Sequence, residues 1–148
     1  MNISDLIVDK VKEVKPSGIR KYFDMINEMD DVISLGIGEP DFVTPWSIRE
    51  EGIYSLERGN THYSPNAGFM DLKEEITKYM KRRFDLQYDS KSEVMVTVGG
   101  SEAIDLAIRC LVQENDEVII PEPCFVAYKP CTLFAGATPV TIDLREED

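Results

Sequence analysis

Histidine and cysteine are scarce in this sequence of 148 residues. It holds one histidine, His62, and three cysteines, Cys110, Cys124 and Cys131, with no Cys-x-x-Cys pair. A structural zinc site takes several such ligands at close spacing, so we expect no metal site. A thiol nucleophile needs a basic partner, and the sequence places no histidine beside a cysteine. We instead expect reduced thiols in a cytoplasmic protein, with Cys110 as a small core residue.

Positive charge and long apolar runs are scarce as well. The 16 Lys and Arg residues against 28 Asp and Glu give a formal net charge of −12, which disfavours nucleic acid and anionic membranes as partners. No window approaches the roughly 18 apolar residues of a membrane span. The opening residues, MNISDLIVDKVKEVK, lack the apolar core of a signal peptide. With 43% hydrophobic residues, the chain is able to build the core of one ordinary domain.

The most informative stretch joins an apolar run to a helical repeat through two glycines. Val94–Val98 is short and rich in β-branched residues, which predicts a buried strand. Gly99 and Gly100 form the turn. Apolar residues then recur at the spacing of one helix face: Ile104, Ala107, Ile108 and Leu111. A helix that begins after such a turn presents free N–H groups and a positive dipole end, and Ser101 adds a hydroxyl, so the stretch suits a phosphate.

Other interpretations of this turn remain open. Strand–glycine–helix turns also occur in α/β proteins that bind nothing at that place. No Gly-Lys-Ser/Thr follows the glycines, so the turn is not a P-loop. A nucleotide-binding Rossmann domain is disfavoured because the Gly-x-Gly-x-x-Gly pattern is missing.

The first half of the chain predicts helices separated by loops. Residues 1–30 read as a peripheral helical arm. A short strand, Val32–Leu35, leads into a glycine-rich loop and then into a helix over Trp46–Arg58, with Thr44 as its N-cap. A polar loop with turn residues follows before the next helix.

That next helix is predicted to begin at Phe69. Its apolar face comprises Leu72, Ile76, Met80 and Phe84. Lys73 belongs to the opposite, polar face.

The second half predicts a parallel sheet. Strands at Val118–Ile120 and Thr138–Ile142 flank a helix over Cys124–Phe134, and together with Val94–Val98 they give a β–α–β–α–β order. Ligands of such sheets lie at the carboxyl ends of the strands. Phe125 follows one of these ends and offers a flat ring beside the phosphate turn. A phosphate next to an aromatic ring is the shape of pyridoxal phosphate, among other cofactors.

Five segments together resemble one family. They are KPSGIR (15–20), LGIGEPDFVTP (35–45), THYSPNAGFMDLKEEI (61–76), VTVGGSEAIDLAI (96–108) and DEVIIPEPCFVAY (116–128). In this order and spacing they resemble the N-terminal portion of the class I/II, fold-type I, pyridoxal-phosphate-dependent aminotransferases of the aspartate and aromatic type. The resemblance implies an α/β fold with a helical arm or small-domain segment at 1–30 and an incomplete cofactor-binding large domain at 31–148.

The resemblance also implies a cofactor, pyridoxal 5'-phosphate, and residues that bind it. Gly100, Ser101 and Glu102 would form the phosphate cup, mainly through backbone N–H groups. Phe125 would stack on the pyridine ring, where many relatives carry tyrosine or tryptophan.

Two further roles follow from the resemblance. Gly38 would line the pocket for the substrate α-carboxylate. Tyr63 would reach across a homodimer to the phosphate of the other subunit's cofactor. The substrates implied are an amino acid and a 2-oxo acid, of unspecified side chain.

One departure limits the resemblance. The family's Schiff-base lysine lies in a downstream segment that this sequence does not contain, and Lys129 is expected at the surface. We therefore expect an N-terminal piece of an aminotransferase that carries no catalytic residue and is inactive alone. Alternatives are another fold-type I enzyme, such as a C–S lyase, or a non-catalytic binding or regulatory remnant of the fold. Exposed strand edges would favour self-association.

Overall fold

The computed structural model describes residues 3–16, 18, 22, 25, 26, 33, 35 and 38–146. The described residues of 1–30 and 97–148 form one compact unit, and those of 31–96 form another. Half of the predicted strand Val32–Leu35 lies outside the described residues. No helix in the described ranges is both long and apolar enough to cross a membrane.

Helices dominate the described residues. After a 3-10 turn at Ile3–Leu6, the helices are α1 (Asp9–Lys12), α2 (Trp46–Glu57), α3 (Met70–Phe84), α4 (Gly99–Leu111) and α5 (Tyr128–Phe134), and the strands are β1 (Glu117–Glu122) and β2 (Thr138–Asp143). The predicted α/β class is confirmed.

The first unit is built around a β1–α5–β2 crossover. The two strands pair in parallel, from Glu117 opposite Thr138 to Glu122 opposite Asp143, so both predicted strands are confirmed. The buried residues of this unit are Ile120, Cys131, Thr132 and Ala137. The Thr132 hydroxyl donates to the carbonyl of Tyr128 at 2.9 Å, which satisfies a polar group that no water reaches. The crossover thus packs helix α5 on the paired strands.

The predicted strand at Val94–Val98 is wrong for the described residues, which show no strand there. A strand forms only where its backbone groups find a ladder partner. Here the Val96 N–H donates to the carbonyl of Ala67 in a loop, at 3.1 Å. The Val98 N–H donates to the carboxylate of Glu102. These donors serve a loop and a helix start instead of a sheet.

Helix α4 confirms the predicted helix, but its buried stripe is rotated from the predicted face. Its partly buried residues are Ile104, Asp105, Leu106 and Ile108. Leu111 is 81% exposed, and the prediction that Cys110 is a core residue is wrong, because the thiol is exposed.

Helix α5 begins at Tyr128, later than the predicted start at Cys124. The reason is Pro130, which has no N–H to donate to the carbonyl four residues earlier. A proline is tolerated in the first helical turn and disrupts the interior. The helix therefore begins two residues before Pro130, and Phe125 lies in the preceding loop.

In the second unit, α2 confirms the predicted helix and ends before Gly59, whose φ is +75°. The predicted N-cap Thr44 is wrong, because Pro45 occupies the cap position. The ψ angle of Pro45 is extended at 142°, and its carbonyl accepts the N–H groups of Ile48 and Arg49 at 3.0 and 3.2 Å. The helix needs no side-chain cap for these two donors.

Helix α3 also confirms its prediction, but the burial of three of its residues differs from what was predicted. Lys73, expected on the polar face, is 3% exposed. Its ammonium donates to the carbonyl of Lys91 at 3.2 Å, which keeps the buried charge hydrogen-bonded. Leu72 and Phe84 are exposed instead. The helix ends at Asp85, which is left-handed at φ 57°.

Candidate functional site

The site begins where the chain enters helix α4. Gly99 has φ +80°, a conformation that L side chains rarely adopt. Apart from the adjacent residues and the backbone of the helix itself, no described heavy atom lies within 4 Å of the place where a Cβ on Gly99 or Gly100 would stand. The first N–H groups of a helix have no partner within it. The Gly99 N–H donates to the Thr97 carbonyl at 2.9 Å, so the donors that the start of α4 offers to a ligand come after Gly99, at an exposed surface.

Two side chains of the turn hold its backbone in place. The Glu102 carboxylate accepts the Val98 N–H, which returns a first-turn side chain to the residue before the helix. The Thr97 hydroxyl donates to the Gly99 carbonyl at 3.0 Å. The negative charge of Glu102 also lies favourably near the positive end of the helix. Of the three predicted cup residues, Glu102 thus has a structural part in shaping the turn.

Phe125 lies in the loop between β1 and α5 and is 50% exposed. Its ring and the Tyr128 ring make an edge-to-face contact, with centroids 6.1 Å apart and planes at 87°. Its carbonyl accepts the Tyr128 N–H at 3.3 Å. An edge-on contact leaves a ring face available for stacking.

A cavity of about 450 Å³ opens beside Phe125. It is lined by residues of β1, by Tyr128 and Leu144, and by Ile108 from helix α4. Gly100, Ser101 and Glu102 are not among the described residues that line it. The structure therefore places Phe125 and α4 in one unit, but the Phe125 ring and the three predicted phosphate-binding residues do not line the same cavity.

Gly38 and Tyr63 belong to the other unit. Tyr63 is fully exposed, and Gly38 is exposed with open space around it. A fully exposed tyrosine has its hydroxyl free for a partner outside its own unit. The roles predicted for both residues stay predictions.

A polar cluster that sequence reasoning missed joins α4 to α5. The Arg109 guanidinium donates to the Asp105 carboxylate at 2.7 Å, and this bond lowers the pKa of Asp105. Burial raises the pKa of the Cys131 thiol, and the negative Asp105 raises it further. The sequence does carry a signal for this ion pair: Asp105 and Arg109 are four residues apart, which places both side chains on one helix face. A thiol of this kind stays protonated and unreactive at neutral pH.

Lys129 is a second residue for which the prediction was incomplete. It was expected at the surface, yet its side chain is only 43% exposed, and its ammonium lies 2.5 Å from a Glu122 carboxylate oxygen.

The described residues contain no group of three or more His, Cys, Asp and Glu side chains able to hold a metal. The three cysteines are free thiols.

Comparison with known proteins identifies the family. The model of the aminotransferase class I and II family matches residues 30–148. The chain belongs to this family. It is 54% identical over 140 residues to the protein YugH of Bacillus subtilis, and it is 43% identical over 140 residues to the aspartate aminotransferase of Pyrococcus abyssi. Each alignment covers 95% of the chain and 36% of the relative.

A solved structure agrees with the sequence comparison. The structure titled Pyrococcus protein-A1 superposes with a TM-score of 0.87 at 43% identity, covering 95% of this chain and 36% of that one. The predicted resemblance to an N-terminal portion of the aminotransferases is confirmed. All six residues predicted for the aminotransferase site, Gly38, Tyr63, Gly100, Ser101, Glu102 and Phe125, lie inside the matched range.

Proposed function

We propose that the full-length protein containing this chain is a pyridoxal-phosphate-dependent aminotransferase. It moves an amino group between an amino acid and a 2-oxo acid. The observation that carries this proposal is the family match over residues 30–148. Because the chain spans 36% of its relatives' length, the activity is assigned to the whole protein and not to this piece.

The residues present fit the phosphate end and the ring of the cofactor. Gly100, Ser101 and Glu102 lie in the first turn of α4, at the positive end of the helix, and the space beside the Gly100 Cβ position is open, which suits a phosphate. The half-exposed ring of Phe125 suits a planar pyridine. When bound, pyridoxal phosphate supplies the electron sink for the reaction. The residues of this chain bind its phosphate and orient its ring.

Substrate binding and assembly complete the proposal. Gly38 leaves space for the substrate α-carboxylate, because its backbone bears no side chain and nothing described lies within 4 Å of its Cβ position. Tyr63 contacts the phosphate of the cofactor in the second subunit of a homodimer. Its full exposure supports a partner outside its own unit. We place the protein in the cytoplasm, as its free thiols suggest.

The 148-residue chain alone is not catalytic in this proposal, because none of its lysines matches the family's cofactor-binding lysine. Residues 31–148 form the beginning of the cofactor-binding large domain, with residues 1–30 as an arm. A C–S lyase within the same family, or a non-catalytic remnant of the fold, would share all these features. The experiment must therefore separate transfer from elimination and from binding alone.

The test uses the purified full-length protein with pyridoxal phosphate, a panel of amino acids and a 2-oxo acid acceptor. We expect a visible absorption band on cofactor binding and a new amino acid formed from the acceptor. Release of ammonia and a 2-oxo acid, without transfer, would assign a lyase instead. A protein that neither binds the cofactor nor transfers an amino group would overturn the proposal. The 148-residue chain serves as the matched inactive control.

A further inference from the structure

The loop that carries Phe125 is closed across its base by an ion pair. Lys129 Nζ lies 2.5 Å from Glu122 Oε1. Glu122 is the last residue of β1, and Lys129 is the second residue of α5. The five residues between strand and helix, 123–127, are therefore bounded by two oppositely charged side chains in contact.

Backbone and ring contacts fix the same loop from inside. The Leu144 N–H donates to the Glu122 carbonyl at 2.8 Å, which extends the pairing of β1 with β2 by one bond. The Tyr128 N–H donates to the Phe125 carbonyl at 3.3 Å, and the two rings meet edge to face. The end of the strand and the start of the helix are thus both tied to the loop. The ion pair is the contact that joins these two ends directly.

The surroundings of the pair leave it partly screened from water. The Lys129 side chain is 43% exposed and the Glu122 side chain 33%. Both line a cavity of about 700 Å³ together with Phe125, Glu13 and Lys15. A pair of this exposure contributes modestly to stability, so its main effect is on local geometry.

We propose that Glu122 and Lys129 are positioning residues that set the Phe125 ring against the ring of the bound cofactor. This inference rests on the proposed function. Neither side chain needs to touch the cofactor, because each acts by holding one end of the loop. Loss of the pair frees the loop, and the ring then meets the cofactor in several orientations instead of one.

The test compares variants of the full-length protein by cofactor titration and by the visible circular dichroism of the bound cofactor. Lys129→Ala should weaken pyridoxal phosphate binding about two- to fivefold, the range that a partly exposed pair supports, and should reduce the dichroic band. Lys129→Arg and the charge-reversed double variant Glu122→Lys/Lys129→Glu should restore both. Lys78→Ala removes an exposed ion pair on α3, with Glu75 at 2.7 Å, and is the matched control.

The outcomes separate this inference from the proposed function. If the wild-type protein fails to bind pyridoxal phosphate, the proposed function falls and the inference with it. If the wild-type protein binds and Lys129→Ala keeps both its affinity and its dichroic band, the inference alone is overturned. A loss in Lys129→Ala that neither Lys129→Arg nor the double variant recovers would also overturn it, because charge pairing would not be the cause.

Discussion

The Lys73 ammonium donates a hydrogen bond to the Lys91 carbonyl, 3.2 Å away, and so ties helix α3 to the loop that follows it. Lys73→Met keeps the apolar stem and removes the donor. We expect the segment around Lys91 to open more readily, by about 1–3 kcal/mol, since a buried hydrogen bond to a charged group is lost. Hydrogen exchange of the Glu93 amide, which donates to the Asp89 carbonyl at 2.9 Å, measures this opening.

The matched control for this prediction is Lys78→Met. Lys78 lies on the same helix, and its ion pair with Glu75 is exposed. It should leave the Glu93 exchange rate unchanged. Equal exchange rates in wild type and Lys73→Met would show that the bond does not hold the loop.

Substitution by alanine is expected to change the free energy of unfolding in opposite directions at two glycines. An alanine Cβ at Gly68 would lie 2.7 Å from both Cβ and Cγ2 of Val96, at φ +90°. Gly68→Ala should therefore lower the free energy of unfolding by about 1 kcal/mol or more. At Gly52, inside α2, nothing described lies within 4 Å, and Gly52→Ala should raise it by about 0.5–1 kcal/mol. Denaturant titration of both variants measures the change in the free energy of unfolding relative to wild type. A change of the same sign in both variants would contradict these predictions.

The thiols should differ in reactivity. Cys110 is exposed, whereas Cys131 is buried and burial raises its pKa. Under native conditions near neutral pH, maleimide should modify Cys110 more than about tenfold faster than Cys131, because only the thiolate reacts and the reagent must reach it. Peptide mass mapping over time measures the two rates. In denaturant the two rates should converge, and a persistent difference there would point to a cause other than burial.

The Asp105–Arg109 bond predicts an acid-dependent stability. Since Arg109 lowers the pKa of Asp105, the stabilisation is present above the unfolded-state pKa, roughly 3.9, and is lost as the pH falls through the lower folded-state value. The melting temperature of wild type should exceed that of Asp105→Asn at neutral pH, and the gap should narrow in acid. Arg109→Gln should behave like Asp105→Asn. A gap that stays constant with pH would contradict the assignment.

Local signals in the sequence were sufficient for the presence of the helices and for some of their boundaries. The glycines at the start of α4 and Gly59 after α2 act through the backbone of a few neighbouring residues, so these two helix boundaries follow from the sequence, whereas the predicted start of α5 was wrong. The β1 and β2 strands were also predictable, because each finds its partner within the same crossover unit.

Other predictions were wrong where a group takes a partner that composition and periodicity do not indicate. Val94–Val98 has the composition of a strand, but its N–H groups at Val96 and Val98 donate to Ala67 and Glu102. The helical periodicity predicted an exposed Lys73. The sequence pattern does not indicate that the Lys91 carbonyl, 18 residues away, accepts a hydrogen bond from its ammonium. At the candidate site, the glycine-rich start of α4 could be predicted from the residues, whereas the Glu122–Lys129 pair depends on how β1 and α5 meet.

The most direct test of the central claim is the affinity of the full-length protein for pyridoxal phosphate when one backbone donor of the cup is removed. Gly100→Pro deletes an N–H in the first helical turn, where proline is tolerated. Ser101→Ala, the matched variant, removes only a hydroxyl. We expect Gly100→Pro to weaken binding about tenfold or more, as loss of a bond to a charged group predicts, and Ser101→Ala to weaken it less. Unchanged binding in Gly100→Pro would contradict the claim that the start of α4 holds the phosphate.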